Sequence, residues 1–559
     1  MRQRALVALI MALAIVGGGI AGGGAVAGAS LETDNEAPWR AYAVNDTFDI
    51  DPADGLTEAE IERVVDRAMV RVEYLRGVSF TERPDVEVIS REAFQQERSG
   101  DRTMSTDSQR FLDVKMQGLF FVDQTTAGAD ARQSTRNVST GGYYLIGQNE
   151  IVVIYDGEAP VLDEITLAHE LVHAWQDQRF DLRGFGGESL DADRALLGLI
   201  EGDAVYLELQ YAEKCEEEWD CVIPEDPDTS NGSGSDADFN WGVFFADFQP
   251  YSDGPRYIEA VYAEGGWEAV DALYEDPPTT TRHVINVERD SEFDPRTVEL
   301  EDTHGEGWDR LIPSNERPYE QLGQARIAAM FLQTPWLALD RQEYRYTDRM
   351  VNLTEAINYE PDGSVPRFNP INYDIQYADG WAGDRFHAYY KGEKLAWVWR
   401  ITWDTPDDAR VFVDGYAGLL TFFGGEPVDD GLYQIDTDAY HGVYAVVKDG
   451  ETVTLAYAPS EADLPHVSAE VAAAIGINAS EPTDSIDRGT NPSDRPVGPH
   501  PPASSAPTKA TGADDAPNAT RTMADEPDPM PGFTAALAVL SLGLAGAALR
   551  GLRRTQRDG

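Results

Sequence analysis

Hydrophobic residues recur at helical spacing in several parts of the chain. From Thr57 to Arg76 they lie three or four positions apart, which predicts an amphipathic helix. Apolar runs with helical starts and breaks predict further helices at 166–175, 195–209, 253–263, 268–274, 321–333 and 407–420. Gly265 and Gly266 are expected to interrupt the chain between the helices at 253–263 and 268–274, and Thr405-Pro406 is a typical start for the helix at 407–420.

Short runs rich in β-branched and aromatic residues predict strands between these helices. One strand is predicted at 84–90, and hairpins are predicted at 143–155, 385–403 and 442–457. The last hairpin turns at Asp449-Gly450, a common two-residue turn. Together these elements predict an α+β fold. A helix-rich core with a small sheet is expected over 56–310, and a second α+β domain is expected over 311–478.

The composition describes a folded but extremely acidic chain. Its 559 residues carry a formal charge of −55, and 42% of them are hydrophobic, which is enough for two globular domains with real cores. The basic residues are mostly arginine. An acidic, lysine-poor surface suits very high salt, where counterions screen the self-repulsion, so we expect a halophilic source. The same charge argues against nucleic acid as a partner.

The two ends of the chain have the composition of targeting segments. Residues 1–29 read as a signal peptide, with Arg2 and Arg4 before an apolar core and small residues at its end, and 30–55 form a leader. Residues 479–529 are rich in Pro, Ser, Thr and Asp and predict a disordered stalk. Residues 530–559 hold an apolar run followed by arginines, which predicts a C-terminal anchor helix.

An exported chain permits disulfide formation and glycosylation. Cys215 and Cys221 are the only cysteines, and a disulfide between them is expected; a role as metal ligands is the alternative, but no second pair exists. Acceptor motifs for N-glycosylation occur at six positions, some of which arise by chance in such a chain. These positions are Asn45, Asn137, Asn231, Asn352, Asn478 and Asn518.

The strongest chemical motif is the sequence His-Glu-x-x-His at 169–173. Residues four apart share one face of a helix, so His169 and His173 can both reach a single ion. A catalytic Zn²⁺ needs three protein ligands and an open position for water, and Glu170 lies beside that position as a general base. The alternative is an acidic surface helix with two incidental histidines, which the apolar neighbours disfavour.

Glu201 is the candidate for the third metal ligand. It interrupts the apolar run at 195–209, where a carboxylate is rare unless it is paired or binds a metal. The 28 residues after His173 allow the chain to turn back and place this carboxylate over the histidines. The alternative is a glutamate that faces solvent.

The motif with Glu201 resembles the gluzincin pattern of zinc metallopeptidases. The resemblance implies a zincin-like core, hydrolysis of peptide bonds, and an extended peptide bound along the sheet edge beside the motif helix. Val205 occupies the position where gluzincins often carry an acid that orients a histidine, and Asp203 is a possible substitute. The metzincin pattern fails because Gln176 and Arg179 stand where it requires other residues.

Two further resemblances concern the source and the location. The string from His169 to Leu182 and the later Glu-Gly-Asp-Ala resemble a group of secreted or surface proteins of halophilic archaea. Pro531-Gly532-Phe533, the apolar run and the terminal arginines resemble the PGF-CTERM sorting signal. That resemblance implies an archaeosortase as partner, a membrane lipid at the new C-terminus, and a globular part on the outer face of the cell membrane or S-layer. A plain membrane anchor is the alternative.

We therefore expect a surface-anchored zinc metallopeptidase that acts on peptides or proteins. A donor to the tetrahedral oxyanion is also needed, and the candidates are Tyr257, Tyr262, Arg256 and His283, although each of them is also a reasonable structural residue. The alternative function is a non-enzymatic envelope protein, such as an adhesin, with a structural or inactive zinc site. The intact general base Glu170 favours the enzyme.

Overall fold

The computed structural model describes residues 37–98, 104–157, 159–224, 239–314, 317–341, 350–477 and 530–532. Within these residues the chain forms twelve α-helices and eleven strands, which are arranged in two sheets. The fold class is therefore α+β, and the prediction of this class is confirmed. The predicted signal peptide, the stalk and most of the C-terminal tail lie outside the described residues.

Helices dominate the first half of the chain, and most strands lie in the second half. The helices are α1 (Glu58–Arg76), α2 (Arg91–Arg98), α3 (Thr106–Gly118), α4 (Gly128–Ser139), α5 (Glu164–Phe180), α6 (Leu190–Glu217), α7 (Trp241–Ala272), α8 (Thr281–Ile285), α9 (Gly323–Asp340), α10 (Pro406–Phe422), α11 (Leu464–Val467) and α12 (Ala469–Ala474). The strands are β1 (Asp85–Ser90), β2 (Gly142–Leu145), β3 (Glu150–Tyr155), β4 (Asp309–Arg310), β5 (Trp381–Lys391), β6 (Lys394–Trp403), β7 (Gly425–Asp429), β8 (Leu432–Ile435), β9 (Gly442–Asp449), β10 (Thr452–Ala458) and β11 (Met530–Gly532).

The smaller sheet lies beside the helix that carries the histidine motif. Its strand order is β1-β3-β2-β11, with β1 parallel to β3 and the other pairs antiparallel. The short strand β11 covers the outer edge of β2, so that Gly532 stands opposite Gly142. Helix α5 contacts both β2 and β11. An extended segment paired with β2 therefore runs next to the motif helix.

The larger sheet has seven antiparallel strands in the order β4-β5-β6-β10-β9-β8-β7. Large aromatic side chains fill its inner face, among them the fully buried Trp381, Trp399 and Trp403. The core under this sheet also contains residues of α3, α7 and α9. It thus draws on both of the segments that the sequence assigns to separate domains.

Helix α5 is buried on almost every side, and its first turn is fixed by a buried carboxylate. Glu164 accepts hydrogen bonds from Arg67 at 2.7 Å and from Arg71 at 2.6 Å, both on α1. It also accepts from the Tyr211 hydroxyl at 2.7 Å and from the backbone N–H of Val222 at 2.8 Å. A buried charge with four donors is fully compensated, so this contact sets the position of α5 against α1 and α6.

Helices α6 and α7 approach each other through glycines next to Glu201. A Cβ atom at Gly202 would lie 2.5 Å from the backbone of Gly254, and a Cβ at Gly254 would lie 2.5 Å from the carbonyl oxygen of Gly198. Side chains larger than hydrogen would push the two helices apart. The Glu-Gly-Asp sequence at 201–203 therefore combines a candidate ligand with the residue that permits the crossing.

Several element boundaries differ from the sequence-based expectation. Helix α7 begins at Trp241 rather than at 253 and contains two prolines, while its non-helical residue Gly266 is the predicted interruption. Helix α9 extends beyond the predicted 321–333, and strands β7 and β8 have no counterpart among the predicted elements. The predicted hairpins at 143–155, 385–403 and 442–457 are present. Among the described residues, no helix is both long and apolar enough to span a bilayer.

Replacement of Gly202 by alanine should destabilise the protein by about 1–3 kcal/mol, because the new methyl group overpacks the contact with Gly254. Chemical denaturation measures the change. Gly184→Ala is the control, since a Cβ at Gly184 meets no atom within 4 Å. Equal free energies of unfolding for the two variants would contradict the close approach of α6 and α7.

Candidate metal centre

Three side chains from two helices converge on one point in the interior. His169 and His173 lie one turn apart on α5, and Glu201 comes from α6. The two Nε2 atoms are 3.0 Å apart, and Glu201 Oε2 lies 3.3 Å from His169 Nε2 and 3.2 Å from His173 Nε2. All three side chains are buried. The structure thus brings together the three ligands that the sequence predicts, as a group that could hold a metal ion.

The outer nitrogens of both imidazoles have acceptor partners. His169 Nδ1 is 2.9 Å from Glu208 Oε2, and His173 Nδ1 is 2.8 Å from Gln176 Oε1. Since carboxylate and amide oxygens accept hydrogen bonds, each neutral imidazole must carry its proton on Nδ1. The lone pair of each Nε2 then points toward the centre of the group. This arrangement is the one that metal-binding histidines adopt.

Without a cation, three electron-rich atoms would face one another at van der Waals distance or closer. Both oxygens of Glu201 are buried, and Oε2 lies within 3.3 Å of the Nε2 atoms of both histidines. A tetrahedral zinc ion with ligands at roughly 2.0–2.1 Å separates neighbouring ligand atoms by about 3.3 Å. The observed edges of 3.0–3.3 Å agree with this value. The donor set and its spacing therefore fit zinc.

The electrostatics of the group also favour bound positive charge. Burial lowers the pKa of His169, but the carboxylates of Glu201 and Glu208 outweigh burial and raise this pKa well above its ordinary value. Burial raises the pKa of Glu201, but the imidazoles of His173 and His169 outweigh it and lower this pKa to about 2. Either a proton or a divalent cation can supply the charge that these groups attract.

Glu170 lies against the small sheet with no compensating donor. Both of its carboxylate oxygens are buried and have no hydrogen-bond partner among the described residues. Burial raises the pKa of Glu170 to about 7, although the imidazoles of His169 and His173 act in the opposite direction. A Cβ at Gly142 would lie 3.2 Å from Glu170 Oε1, so strand β2 runs directly past this carboxylate. Glu170 has the environment of a proton acceptor.

Asp203 supports His173 through an intermediate amide and does not contact the imidazole. The amide nitrogen of Gln176 donates to the carbonyl oxygen of Ile200 at 3.0 Å and lies 2.9 Å from the Tyr274 hydroxyl. Tyr274 in turn donates to Asp203 Oδ2 at 3.0 Å. These bonds orient the Gln176 amide so that its oxygen faces His173.

The charge of Asp203 is itself neutralised in the interior. The guanidinium of Arg76 bonds both oxygens of Asp203, at 3.1 and 3.2 Å, and also bonds Asp271 at 2.6 Å. The indole rings of Trp175 and Trp267 lie within 4.5 and 4.0 Å of this guanidinium. A buried ion pair with good geometry can hold the residues around it in place.

The four residues proposed as oxyanion donors make their described contacts with other residues than the metal group. Tyr262 packs against Tyr206 and Trp267, and His283 Nε2 bonds the carbonyl oxygen of Phe293. Arg256 reaches the exposed Glu288. Burial and Asp276 raise the pKa of Tyr257 to about 12. None of the contacts described for these side chains joins them to His169, His173 or Glu201.

A different tyrosine on α7, Tyr251, contacts the metal group directly. The ring of Tyr251 stacks on the imidazole of His169 with centroids 6.4 Å apart and an angle of 18° between the planes. Burial, followed by the charges of Glu201 and Glu170, raises the pKa of Tyr251 well above its ordinary value. The phenol therefore keeps its proton, and a hydrogen bond from its O–H to Glu201 contributes to the raised pKa.

Sequence reasoning missed Glu208, Gln176 and Tyr251 as parts of the site. Glu208 follows Glu201 by seven residues, which is two helical turns, and Gln176 follows His173 by three, so both share a face with a ligand. These spacings could have indicated them. Tyr251 carries no comparable signal, because its position depends on how α7 crosses α6.

The other predicted sites are placed as follows. Cys215 and Cys221 form a disulfide at the end of α6, and Asn45 is exposed. Asn137 accepts a hydrogen bond from Gln133 on α4, and Asn352 caps a turn by accepting from Thr354. Three further acceptor asparagines, Asn231, Asn478 and Asn518, lie outside the described residues. Pro531 and Gly532 belong to β11, whereas Phe533 lies outside the described residues.

A comparison with protein families finds one match, to a domain of unknown function (DUF8575), over residues 309–468. The match includes strands β4–β10 and leaves the metal group outside it. No curated protein matches the chain significantly. No solved structure matches it significantly either.

Glu208→Gln should weaken zinc binding about 10- to 100-fold, because the carboxylate that accepts from His169 Nδ1 loses its charge. Competition with a chromogenic chelator measures the affinity. Glu213→Gln removes a carboxylate from an exposed position of the same helix and serves as the control. If both variants bound zinc as tightly as the wild type, Glu208 would have no part in the metal centre.

Proposed function

We propose that this protein is a zinc-dependent metallopeptidase. The observation that carries the proposal is the convergence of His169 Nε2, His173 Nε2 and Glu201 Oε2, with both Nδ1 atoms held by acceptors. The uncompensated carboxylate of Glu170 beside this group supports a catalytic site over a structural one. A structural zinc site is usually closed by four protein ligands and has no use for a general base.

The metal ligands, Glu170 and Tyr251 each have a separate role in the proposed hydrolysis. Zinc held by His169, His173 and Glu201 would supply a water of lowered pKa and would polarise the carbonyl of the scissile bond. Glu170 accepts a proton from the attacking water and delivers it to the departing amine nitrogen. Tyr251 donates its O–H to the oxygen on which negative charge develops.

The small sheet supports a peptide as the substrate. The chain's own segment 530–532 pairs with β2 by antiparallel backbone hydrogen bonds, with Gly532 opposite Gly142. Gly142 also lies next to Glu170, since a Cβ atom added at Gly142 would be 3.2 Å from Glu170 Oε1. An extended peptide that took the place of segment 530–532 on β2 would therefore bring its backbone to the catalytic carboxylate, in the way that peptides commonly pair with a sheet strand.

The proposal also places the enzyme outside the cell. The signal-like residues 1–29, the stalk at 479–529 and the tail at 530–559 suggest export and attachment to the outer face of the membrane. The acidic composition suggests that the enzyme works in concentrated salt, as in a halophilic archaeon. Assays of the activity therefore belong in high salt.

Glu170→Gln should lower kcat for an unstructured peptide by about 10²–10⁴-fold and should leave zinc content unchanged, because the amide cannot accept the proton. Peptide hydrolysis in high salt and elemental analysis of the same samples give the two quantities.

Two further variants show whether the loss of activity is specific to Glu170. Glu201→Ala should lose both zinc and activity, and Glu213→Ala on the same helix should keep both. Equal turnover by the Glu170→Gln variant and the wild type would leave only a non-enzymatic role for the metal centre.

Tyr251→Phe should reduce kcat about 10²–10³-fold with little change in zinc affinity, because it removes one donor to the oxyanion. Tyr262→Phe, on the same helix but packed against Tyr206 and Trp267, is the matched control. A wild-type kcat for Tyr251→Phe would exclude this tyrosine as the donor.

A further inference from the structure

The strand beside the metal group, β2, is paired on both of its edges. One edge pairs with β3, and the other pairs with β11, which is the chain's own segment 530–532. Helix α5, which carries the histidine motif, contacts β11 as well as β2. The pairs between the segment and β2 are Met530 with Tyr144, Pro531 with Tyr143 and Gly532 with Gly142.

The hydrogen-bonding pattern of β2 directs two of its residues toward this segment. In an antiparallel pair of strands, residues that exchange backbone hydrogen bonds alternate with residues that do not. On the β3 side, the N–H of Ile154 donates to the carbonyl oxygen of Gly141 at 2.8 Å, so Tyr143 is the next residue that bonds to β3. The backbone N–H and C=O groups of Gly142 and Tyr144 therefore point to the opposite edge, toward β11.

The proline of the segment stands at the position that needs no hydrogen-bond donor. Its partner Tyr143 directs its own backbone groups to β3, so the missing N–H of Pro531 costs no bond to β2. Met530 and Gly532 flank the proline and bring their N–H and C=O groups to the two residues of β2 that face outward. The sequence of the segment thus agrees with the register in which it pairs.

The metal group is closed to solvent in the conformation that contains this pairing. Its ligands and its general base are each at most 1% exposed, and they are His169, His173, Glu201 and Glu170. A peptide that reaches Glu170 along β2 needs the outward N–H and C=O groups of Gly142 and Tyr144. These are the groups to which the segment already pairs. The segment and an extended substrate therefore exclude each other.

We propose that segment 530–532 is an intramolecular inhibitor of the metal centre, which keeps extended peptides off β2 until the segment is withdrawn. This inference rests on the proposed peptidase function and adds its regulation. Because the segment and β2 belong to one chain, the inhibitor acts at an effective concentration that does not fall on dilution. The pairing covers only three residues, so the segment can leave while the rest of the sheet stays folded.

A full-length double variant, Met530→Pro with Gly532→Pro, tests the inference because it removes both N–H donors that face β2. Its kcat/KM for an unstructured peptide in high salt should rise about 10- to 100-fold, since apparent affinity increases with the fraction of molecules in which β2 is free. Its kcat should equal that of the wild type, because saturating peptide displaces the segment in both proteins. Pro531→Ala changes the same segment at the position without a bond to β2 and should keep the wild-type kcat/KM.

Hydrogen–deuterium exchange of the zinc-loaded proteins reports the contact without any turnover. The amides of Gly142 and Tyr144 should exchange about 10- to 100-fold faster in the double variant than in the wild type, because their acceptors on the segment are withdrawn. The amide of Tyr143 faces β3 and should stay equally protected in both proteins, which makes it an internal control for folding. Equal exchange of Gly142 and Tyr144 in the two proteins would overturn the inference.

Hydrolysis and exchange together separate this inference from the proposed function. If the wild type and the double variant hydrolyse peptides with the same kcat/KM, the peptidase proposal stands and the inhibitory role of the segment fails. If exchange rises in the double variant but neither protein hydrolyses any peptide, the peptidase proposal fails and only the strand contact remains. Cleavage of the wild-type chain within 530–532, detected by mass spectrometry, would make the segment a substrate and would also overturn the inference.

Discussion

Two imidazole nitrogens and a carboxylate oxygen face one another within 3.3 Å in the protein interior. Several buried hydrogen bonds and ion pairs hold the helices that carry these three atoms in position. All three atoms are acceptors once both histidines carry their protons on Nδ1. Such a group is unstable without a positive charge at its centre. The position of each helix that contributes to the group therefore has to be secured by other interactions.

Buried charged residues fix the motif helix α5 at both of its ends. Glu164 fixes the first turn of α5 to α1 through two arginines, and Gln176 links the far end of the motif to the ion pair of Arg76 with Asp203. Glu208 on α6 accepts a hydrogen bond from Nδ1 of His169. These contacts join α1, α5 and α6 around the site. The glycine contact between α6 and α7 adds the fourth helix, which carries Tyr251.

The local parts of this arrangement could be predicted from the sequence, and the non-local parts could not. Helical spacing alone places His169 and His173 on one face, and a carboxylate within an apolar run indicates Glu201. The hairpins follow from alternating residues and turn chemistry. By contrast, the position of Tyr251 beside His169 depends on how helices cross, and no periodicity along one helix encodes that angle. The start of α7 escapes prediction because the prolines within it suggest a loop.

The most direct test of the account is the X-ray absorption spectrum of the zinc-loaded protein at the zinc edge. The account predicts two imidazole nitrogens and at least one carboxylate oxygen at about 2.0–2.2 Å, with one further light atom and no sulfur. Zinc bound through sulfur, or surrounded by six oxygens with no imidazole, would contradict the convergence of His169, His173 and Glu201 on one ion.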